Sequence, residues 1–331
     1  MRQRPILSAQ HLTLGYGSHL VTENLSFELF EGEITCLMGP NGVGKSTLIK
    51  ALIGSNPPIK GDIILNGKNL NHFSRGSLSR QLSVVLTDRI ISGNMRVKDL
   101  VALGRLPFTG WWGHLRTNDR MVIENVLQAT HIEYIKESKI SELSDGQLQK
   151  VMIARALAQD GKIMILDEPT AHLDLINRFE IMYLLRKLAK ESNKAILVVT
   201  HDLEIALETA DQLWIMSCET PLTCGSPEEL MISGEINQLI PGKKWGINSN
   251  TGKIELNLPF QYPEVIGPDI LKIWIQSAIK KLHPLSLPPH LIIKAAQKPF
   301  SIEVQIGSIN QAFSSLSEFT AYLKNNFKKN S

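Results

Sequence analysis

The sequence predicts an α/β fold organised around a parallel sheet, followed after residue 240 by a small α+β module. Three observations lead there. Gly39-Pro40-Asn41-Gly42-Val43-Gly44-Lys45-Ser46-Thr47 lies between an apolar strand pattern at 33–38 and a helical pattern at 46–53, where Leu48/Leu52 and Ile49/Ile53 pair at helical spacing. The runs 163–166 and 195–199 are short and fully apolar, as in parallel strands buried on both faces, and a helical pattern at 176–190 between them completes a βαβ unit. At 331 residues the chain exceeds the size at which a single core stops growing, and half of its sixteen prolines fall between Pro241 and Pro299.

Taken in order, residues 6–35 alternate apolar and polar side chains, with turns at Gly15-Tyr16-Gly17 and Glu31-Gly32. They read as antiparallel strands leading into the glycine-rich loop. Another strand at 61–66 ends at Gly67. A helical subdomain follows at about 88–160, with apolar residues three and four apart at 97–103, 119–131 and 147–158. The first domain thus spans 1–240. Pro241-Gly242-Lys243-Lys244 reads as a linker. The extension 241–331 holds candidate strands at 253–257, 291–295 and 301–306, candidate helices at 269–282 and 315–326, and no chemical motif.

Composition narrows the class. Hydrophobic residues make up 43% and charged residues 20%, the balance of a soluble globular protein, and a net charge of +3 is too small to argue for a nucleic-acid partner. Cys36, Cys218 and Cys224 show neither zinc spacing nor a disulfide framework, which fits a reducing compartment. Residues 1–10 lack the apolar core of a signal peptide, and no apolar run approaches the roughly 18 residues that span a bilayer. A transport role would need a separate membrane partner.

The chemistry gathers at strand ends. The glycines of the 39–47 loop let backbone N–H groups turn inward around phosphate oxygens, and the following helix N-terminus favours the same anion. Lys45 supplies a compact charge for the β and γ phosphates, and the Ser46 hydroxyl can ligate Mg²⁺. Asp167 and Glu168 end one apolar strand. Asp167 would hold Mg²⁺, directly or through water, and Glu168 would polarise the attacking water as general base. His201 ends the next strand, within reach of the γ-phosphate and that water. Ser144 and Gly146 stand at another helix N-terminus, a second phosphate-type end about a hundred residues from the first.

This set resembles the ATP-binding subunit of an ABC transporter over about residues 5–235. Gly39, Pro40, Asn41, Gly42, Val43, Gly44, Lys45, Ser46 and Thr47 look like its Walker A loop, and 163–168 its Walker B strand. Leu143, Ser144, Asp145, Gly146 and Gln147 look like its signature sequence, Ala171-His172-Leu173-Asp174 its D-loop, and His201 its switch histidine. Tyr16 resembles the aromatic that stacks on adenine. The resemblance implies a P-loop NTPase core with antiparallel β and helical subdomains, with ATP and Mg²⁺ as cofactors. It also implies a head-to-tail homodimer, with each ATP held between the phosphate loop of one copy and the signature helix of the other. Two positions depart from the pattern. Asp145 replaces the usual glycine, and is expected to keep the turn by accepting left-handed backbone angles while repelling a γ-phosphate mildly. Thr87 stands where the family has its Q-loop glutamine, and would offer a shorter-reaching oxygen toward Mg²⁺ or water.

Residues 97–107 and Thr170-Ala171-His172-Leu173-Asp174 resemble importers for iron–siderophore complexes, haem and cobalamin. That implies integral membrane permease subunits, an extracytoplasmic substrate-binding protein acting indirectly, no nucleic acid, and a peripheral place on the cytoplasmic face of the inner or plasma membrane. Leu106-Pro107-Phe108-Thr109-Gly110-Trp111-Trp112 is a proline-broken loop with three aromatics, suited either to docking on a partner's helix or to folding over its own core. The competing reading is a soluble ABC-type ATPase uncoupled from transport. Against it, translation factors of that kind carry two ATP modules where this chain has one phosphate loop. Repair proteins of that kind insert a long coiled coil, and no sustained heptads occur here.

Overall fold

The computed structural model describes residues 4–86, 94–110, 113–218, 221–240, 242, 244–249, 251–257, 263–282, 287–288, 290–307 and 309–327. The chain divides into two compact units, 1–257 and 258–331. In the first, β1 (Leu7–Tyr16) and β2 (His19–Leu29) form a long antiparallel hairpin, followed by β3 (Ile34–Met38) and α1 (Lys45–Leu52). Next come β4 (Ile63–Leu65), β5 (Lys68–Asn69), the short α2 (Arg75–Leu78) and β6 (Leu82–Val85). The helical stretch comprises α3 (Val97–Ala102), a 3₁₀ segment Leu103–Phe108, α4 (Thr117–Ala129) and α5 (Asp145–Ala158). Then β7 (Ile163–Asp167), α6 (Leu175–Glu191), β8 (Ala195–Val199), α7 (Leu203–Thr209), β9 (Gln212–Ile215), β10 (Thr223–Gly225) and α8 (Pro227–Ser233) complete the core, and the hairpin β11 (Trp245–Ile247)–β12 (Ile254–Leu256) closes the unit.

The principal sheet has the order β10-β9-β3-β8-β7-β6. It is parallel from β9 to β6, with β10 antiparallel at its edge. Its strands bury both faces. Ile34, Cys36 and Met38 of β3 join one core with Met164, Leu166, Val198 and the helices α3 to α6. Leu37 joins the other with Ile163, Ile165, Leu197 and the β1–β2 hairpin. That double burial explains why β7 and β8 read as continuous apolar runs rather than alternating ones. A second sheet, β2-β1-β4-β5, is antiparallel. Among the described residues no helix is long and apolar enough to cross a membrane.

The expected domain break at 240/241 falls instead at 257/258. The reason is the β11–β12 hairpin. Ile247 is buried in the core beside α7 and α8, and its N–H donates to Asn237 Oδ1 at 2.8 Å. Burying that side chain and backbone group together fastens the hairpin to the first unit. The strand expected at 253–257 therefore belongs to the first unit, not to the extension; Pro241 and Lys243 of the expected linker lie outside the described residues.

The second unit has a sheet of order β13 (Glu264–Ile266), β14 (Ile292–Gln297), β15 (Phe300–Ile306), β16 (Ile309–Phe313), with the helices α9 (Asp269–Lys280) and α10 (Leu316–Asn326). Its own core includes Ile275, Ile279, Ile293, Ile302, Val304 and Phe319. The expected helices and two of its four strands were readable from periodicity; β13 and β16 were not.

Candidate functional site

The glycine-rich loop connects β3 to α1 and takes its shape from glycine. Gly39 has φ 153°, and a Cβ there would stand 2.4 Å from the Met216 carbonyl oxygen. Gly44 has φ 109° and begins α1 with no side chain capping the helix. Lys45 is buried, and its Nζ donates to the carbonyls of Gly39 at 2.7 Å and Pro40 at 2.9 Å. Burial pulls its pKa down, while Glu168 and Asp167 push it back up. An ammonium held over the loop, facing two carboxylates, sits where phosphate oxygens would meet it.

Those carboxylates come from the C-terminal end of β7. Burial raises the Asp167 pKa, partly offset by Lys45 and His201. Glu168 has φ 50°, a left-handed conformation that costs a non-glycine residue roughly 1–3 kcal/mol and that concentrates at working sites. Its N–H donates to the Val199 carbonyl at 2.9 Å, which ties the end of β7 to the end of β8. Burial first, then the charge of Asp167, pushes its carboxyl up to about 7. His201 Nε2 lies 3.1 Å from Glu168 Oε1. The contact has the distance of a charge pair but not the angle of a hydrogen bond, for Oε1 is buried without a hydrogen-bond partner. Burial and Lys45 hold His201 below the usual imidazole value, so at neutral pH it faces Glu168 largely uncharged. A carboxyl titrating near neutrality with an open acceptor oxygen is suited to receiving a proton from water.

These groups share one cavity of about 350 Å³, lined by Val21, Asn41, Gly42, Gly44, Lys45, Ser46, Thr47, Asp167, Glu168, Val199 and His201. Val21, a β2 residue, and Val199 were missed from sequence because nothing in a strand's apolar pattern marks an end that faces a ligand. Tyr16 is not on this wall. It ends β1, about half exposed, beside α1, with Lys50 Nζ 5.6 Å from its ring centroid and a hydrogen bond to Thr47 that lowers its pKa.

Leu143, Ser144, Asp145, Gly146 and Gln147 are absent from the cavity wall as well. Ser144 caps α5, its Oγ accepting from the Gln147 N–H at 3.3 Å, while Gln147 Oε1 accepts from the Ser144 N–H at 3.0 Å. Asp145 does not take the left-handed angles expected of it. It is the first residue of α5, where the helix dipole favours its carboxylate and no glycine geometry is needed. Asp174 caps α6 through Asn177, whose side chain in turn lies against Gly146. Thr87, expected to offer an oxygen toward the metal, lies outside the described residues.

A second cavity of about 820 Å³ has Glu168 and His201 on one wall. It continues along Thr170, Arg178, Asp202 and α7, and the β11–β12 turn from Thr251 to Ile254 forms its opposite side. Glu168 and His201 thus line both cavities, which no spacing in the sequence announces.

Comparison with known proteins decides the family. The family model for ABC transporters matches residues 22–171. An uncharacterized ABC transporter ATP-binding protein of Methanocaldococcus jannaschii is 42% identical over 251 residues, covering 76% of this chain and 87% of the relative. The chain belongs to the ABC transporter ATP-binding family. The ferric enterobactin transport ATP-binding protein FepC of Escherichia coli is 34% identical over 233 residues, covering 70% of this ABC protein and 86% of its relative. The solved structure of cbiO1 from Clostridium perfringens, part of the ABC transporter complex cbiONQ, superposes with a TM-score of 0.63 at 30% identity, covering 71% of this chain and 93% of that one. The fold is thus that of an ABC ATPase, a P-loop NTPase. ABC domains of this kind bind and hydrolyse ATP as subunits working with membrane permease components, and nothing in the comparisons favours the soluble alternative.

Proposed function

We propose that the cavity at the end of α1 holds MgATP and that hydrolysis there powers uptake of a metal chelate, a ferric siderophore first, with haem and cobalamin as the other cargoes of the group. The observation that carries the site is the convergence of Lys45, Ser46, Asp167, Glu168 and His201 on one cavity. The donor set fits the metal. A serine hydroxyl and a carboxylate are hard oxygen ligands, and Mg²⁺ is commonly held by one or two carboxylates with substrate phosphates completing its shell. Ser46 and Asp167 would hold it, and once bound it would neutralise charge on the phosphates.

In the reaction, Lys45 and the loop N–H groups orient the phosphates. Glu168 takes a proton from the water whose oxygen attacks the γ-phosphorus. The bond from that phosphorus to the β–γ bridging oxygen breaks, and ADP leaves with the electron pair. His201, 3.1 Å from Glu168, would reach the γ-phosphate and the attacking water.

The signature residues lie off this cavity, so the second phosphate-type helix end would serve another copy. That supports a homodimer in which Ser144–Gln147 of one copy faces the nucleotide of the next. Tyr16, beside α1 and off the cavity wall, would be the residue that stacks on the adenine. The permease would hold the dimer at the cytoplasmic membrane face, with an extracytoplasmic binding protein delivering cargo. The choice of cargo rests on the relative named for ferric enterobactin and on residues 97–107 and 170–174. It is tested by uptake of labelled ferric siderophore, haem and cobalamin in cells carrying Lys45→Ala as the sole copy. Loss of ferric siderophore uptake alone is expected; unchanged uptake of all three would overturn the reading.

A further inference from the structure

Arg105 is 4% exposed and sits in the 3₁₀ segment Leu103–Phe108, remote from the nucleotide cavity in sequence and absent from its wall. Its guanidinium joins three elements. Nε donates to Asp119 Oδ1 at 2.9 Å, and Nη1 donates to the Ala158 carbonyl at 2.9 Å. The Cζ atom lies 4.0 Å from the centroid of the Phe108 ring. Asp119 is equally buried, and its second oxygen accepts from the Arg116 N–H at 2.9 Å, which caps α4. Ala158 is the last residue of α5, so its carbonyl belongs to the negative end of that helix, where a cation is favoured. Beside it, a Cβ on Gly104 would meet the Arg155 carbonyl oxygen at 2.2 Å, so the segment lies directly on the last turn of α5.

The other end of α5 is the signature sequence. The helix has 14 residues, a rod of about 21 Å at 1.5 Å per residue. A tilt of about 10° at Ala158 would move Ser144 by roughly 4 Å over that length, enough to lose a hydrogen bond to phosphate. We propose that Arg105 is a positioning residue for ATP-driven pairing: it fixes the distal end of α5 and thereby the direction in which Ser144 and Gln147 face the second copy. This rests on the paired arrangement above.

A stabilising ion pair with no positioning role is the rival, and the experiment separates the two. Full-length protein carrying Glu168→Gln serves as parent, because ATP binds without turning over. Arg105→Lys keeps the charge beside Asp119 but loses the second donor and the planar stack. Arg105→Met with Asp119→Leu removes both charges, so no unpaired charge is left buried. Thermal unfolding confirms that each is folded. Binding of a fluorescent ATP analogue at nanomolar protein should stay within about twofold of the parent. The dimer dissociation constant by sedimentation in ATP should rise about 3- to 30-fold in both variants, the span typical of residues that modulate coupling without touching ligand. Dimerisation at the parent's strength in folded Arg105→Lys would overturn the proposal. So would an equal loss of single-copy nucleotide binding, which marks general loosening. A parent that stays monomeric in saturating ATP would overturn the pairing reading, and this inference with it.

Discussion

The N-termini of α1 and α5, both proposed to meet phosphate, are finished differently. That of α1 starts at a left-handed glycine with no side chain capping it, and Lys45, Asp167 and Glu168 surround it in a cavity. That of α5 is closed by its own residues, Ser144 and Gln147 satisfying each other's backbone N–H groups in a capping box. An uncapped end leaves its N–H groups for an anion from outside. A capped end is complete alone, and an arriving phosphate must share the Ser144 hydroxyl with the Gln147 N–H. On the function proposed above, the first end should decide whether nucleotide binds, and the second whether two copies close on it.

Substitutions can break that division. The largest effect is expected at the base: Glu168→Gln should lower ATP turnover by about 10²–10⁴ while leaving nucleotide binding intact, read by single-turnover kinetics beside binding titration. Lys45→Ala should weaken single-copy nucleotide binding by about 10- to 100-fold, the worth of hydrogen bonds to a charged partner, and equal weakening by a signature substitution would erase the distinction between the ends. Ser144→Ala removes a cap worth about 1 kcal/mol of helix stability and, with it, the hydroxyl offered to the second copy's phosphate. It should leave single-copy affinity unchanged and shift the protein concentration needed for half-maximal ATPase activity.

The mildest probe is pH. In the nucleotide-free chain Glu168 titrates at about 7 against an ordinary value of 4.5. A folded-state pKa above the unfolded one means that the folded protein holds the proton more tightly, so Glu168 subtracts stability as pH rises from 4.5 through about 7. The unfolding temperature of Glu168→Gln should therefore exceed that of the parent progressively across this window and level off above it. A constant difference between the two proteins over the same window would remove the burial argument. ATPase activity should climb through the same region as the base loses its proton.

Much of this was legible in the sequence because burial leaves a plain mark. Strands β7 and β8 are apolar on both faces and read as strands at once, and the loop between β3 and α1 has a composition few other functions demand. Elements that are very short or lie mostly in solvent left no mark. Strand β13 has three residues, and β16, Ile309–Phe313, is an edge strand exposed at four of its five positions. Strand β11 hid for another reason, although its partner β12 was expected: Gly246 interrupts it, and Pro241 to Lys244 before it resemble a linker. Asp145 misled through its resemblance to a glycine position. The turn expected there is a helix start, which aspartate suits without strain. The wall that Glu168 and His201 give to both cavities depends on chain crossings that bring the ends of β7 and β8 side by side, and no local pattern encodes them.

Gly146, Asn177 and Asp174 are linked by contacts that run from α5 to the start of α6. A Cβ at position 146 would stand 3.0 Å from Asn177 Oδ1, and Asn177 has little room to yield because its Nδ2 donates to Asp174 Oδ2 at 2.8 Å and its N–H to Asp174 Oδ1 at the same distance. An alanine at position 146 would therefore need Asn177 Oδ1 to give by a few tenths of an ångström, at the expense of the bond from Asn177 Nδ2 to Asp174. A library that randomises only 143–147 would thus read position 146 through the freedom of one side chain on the next helix.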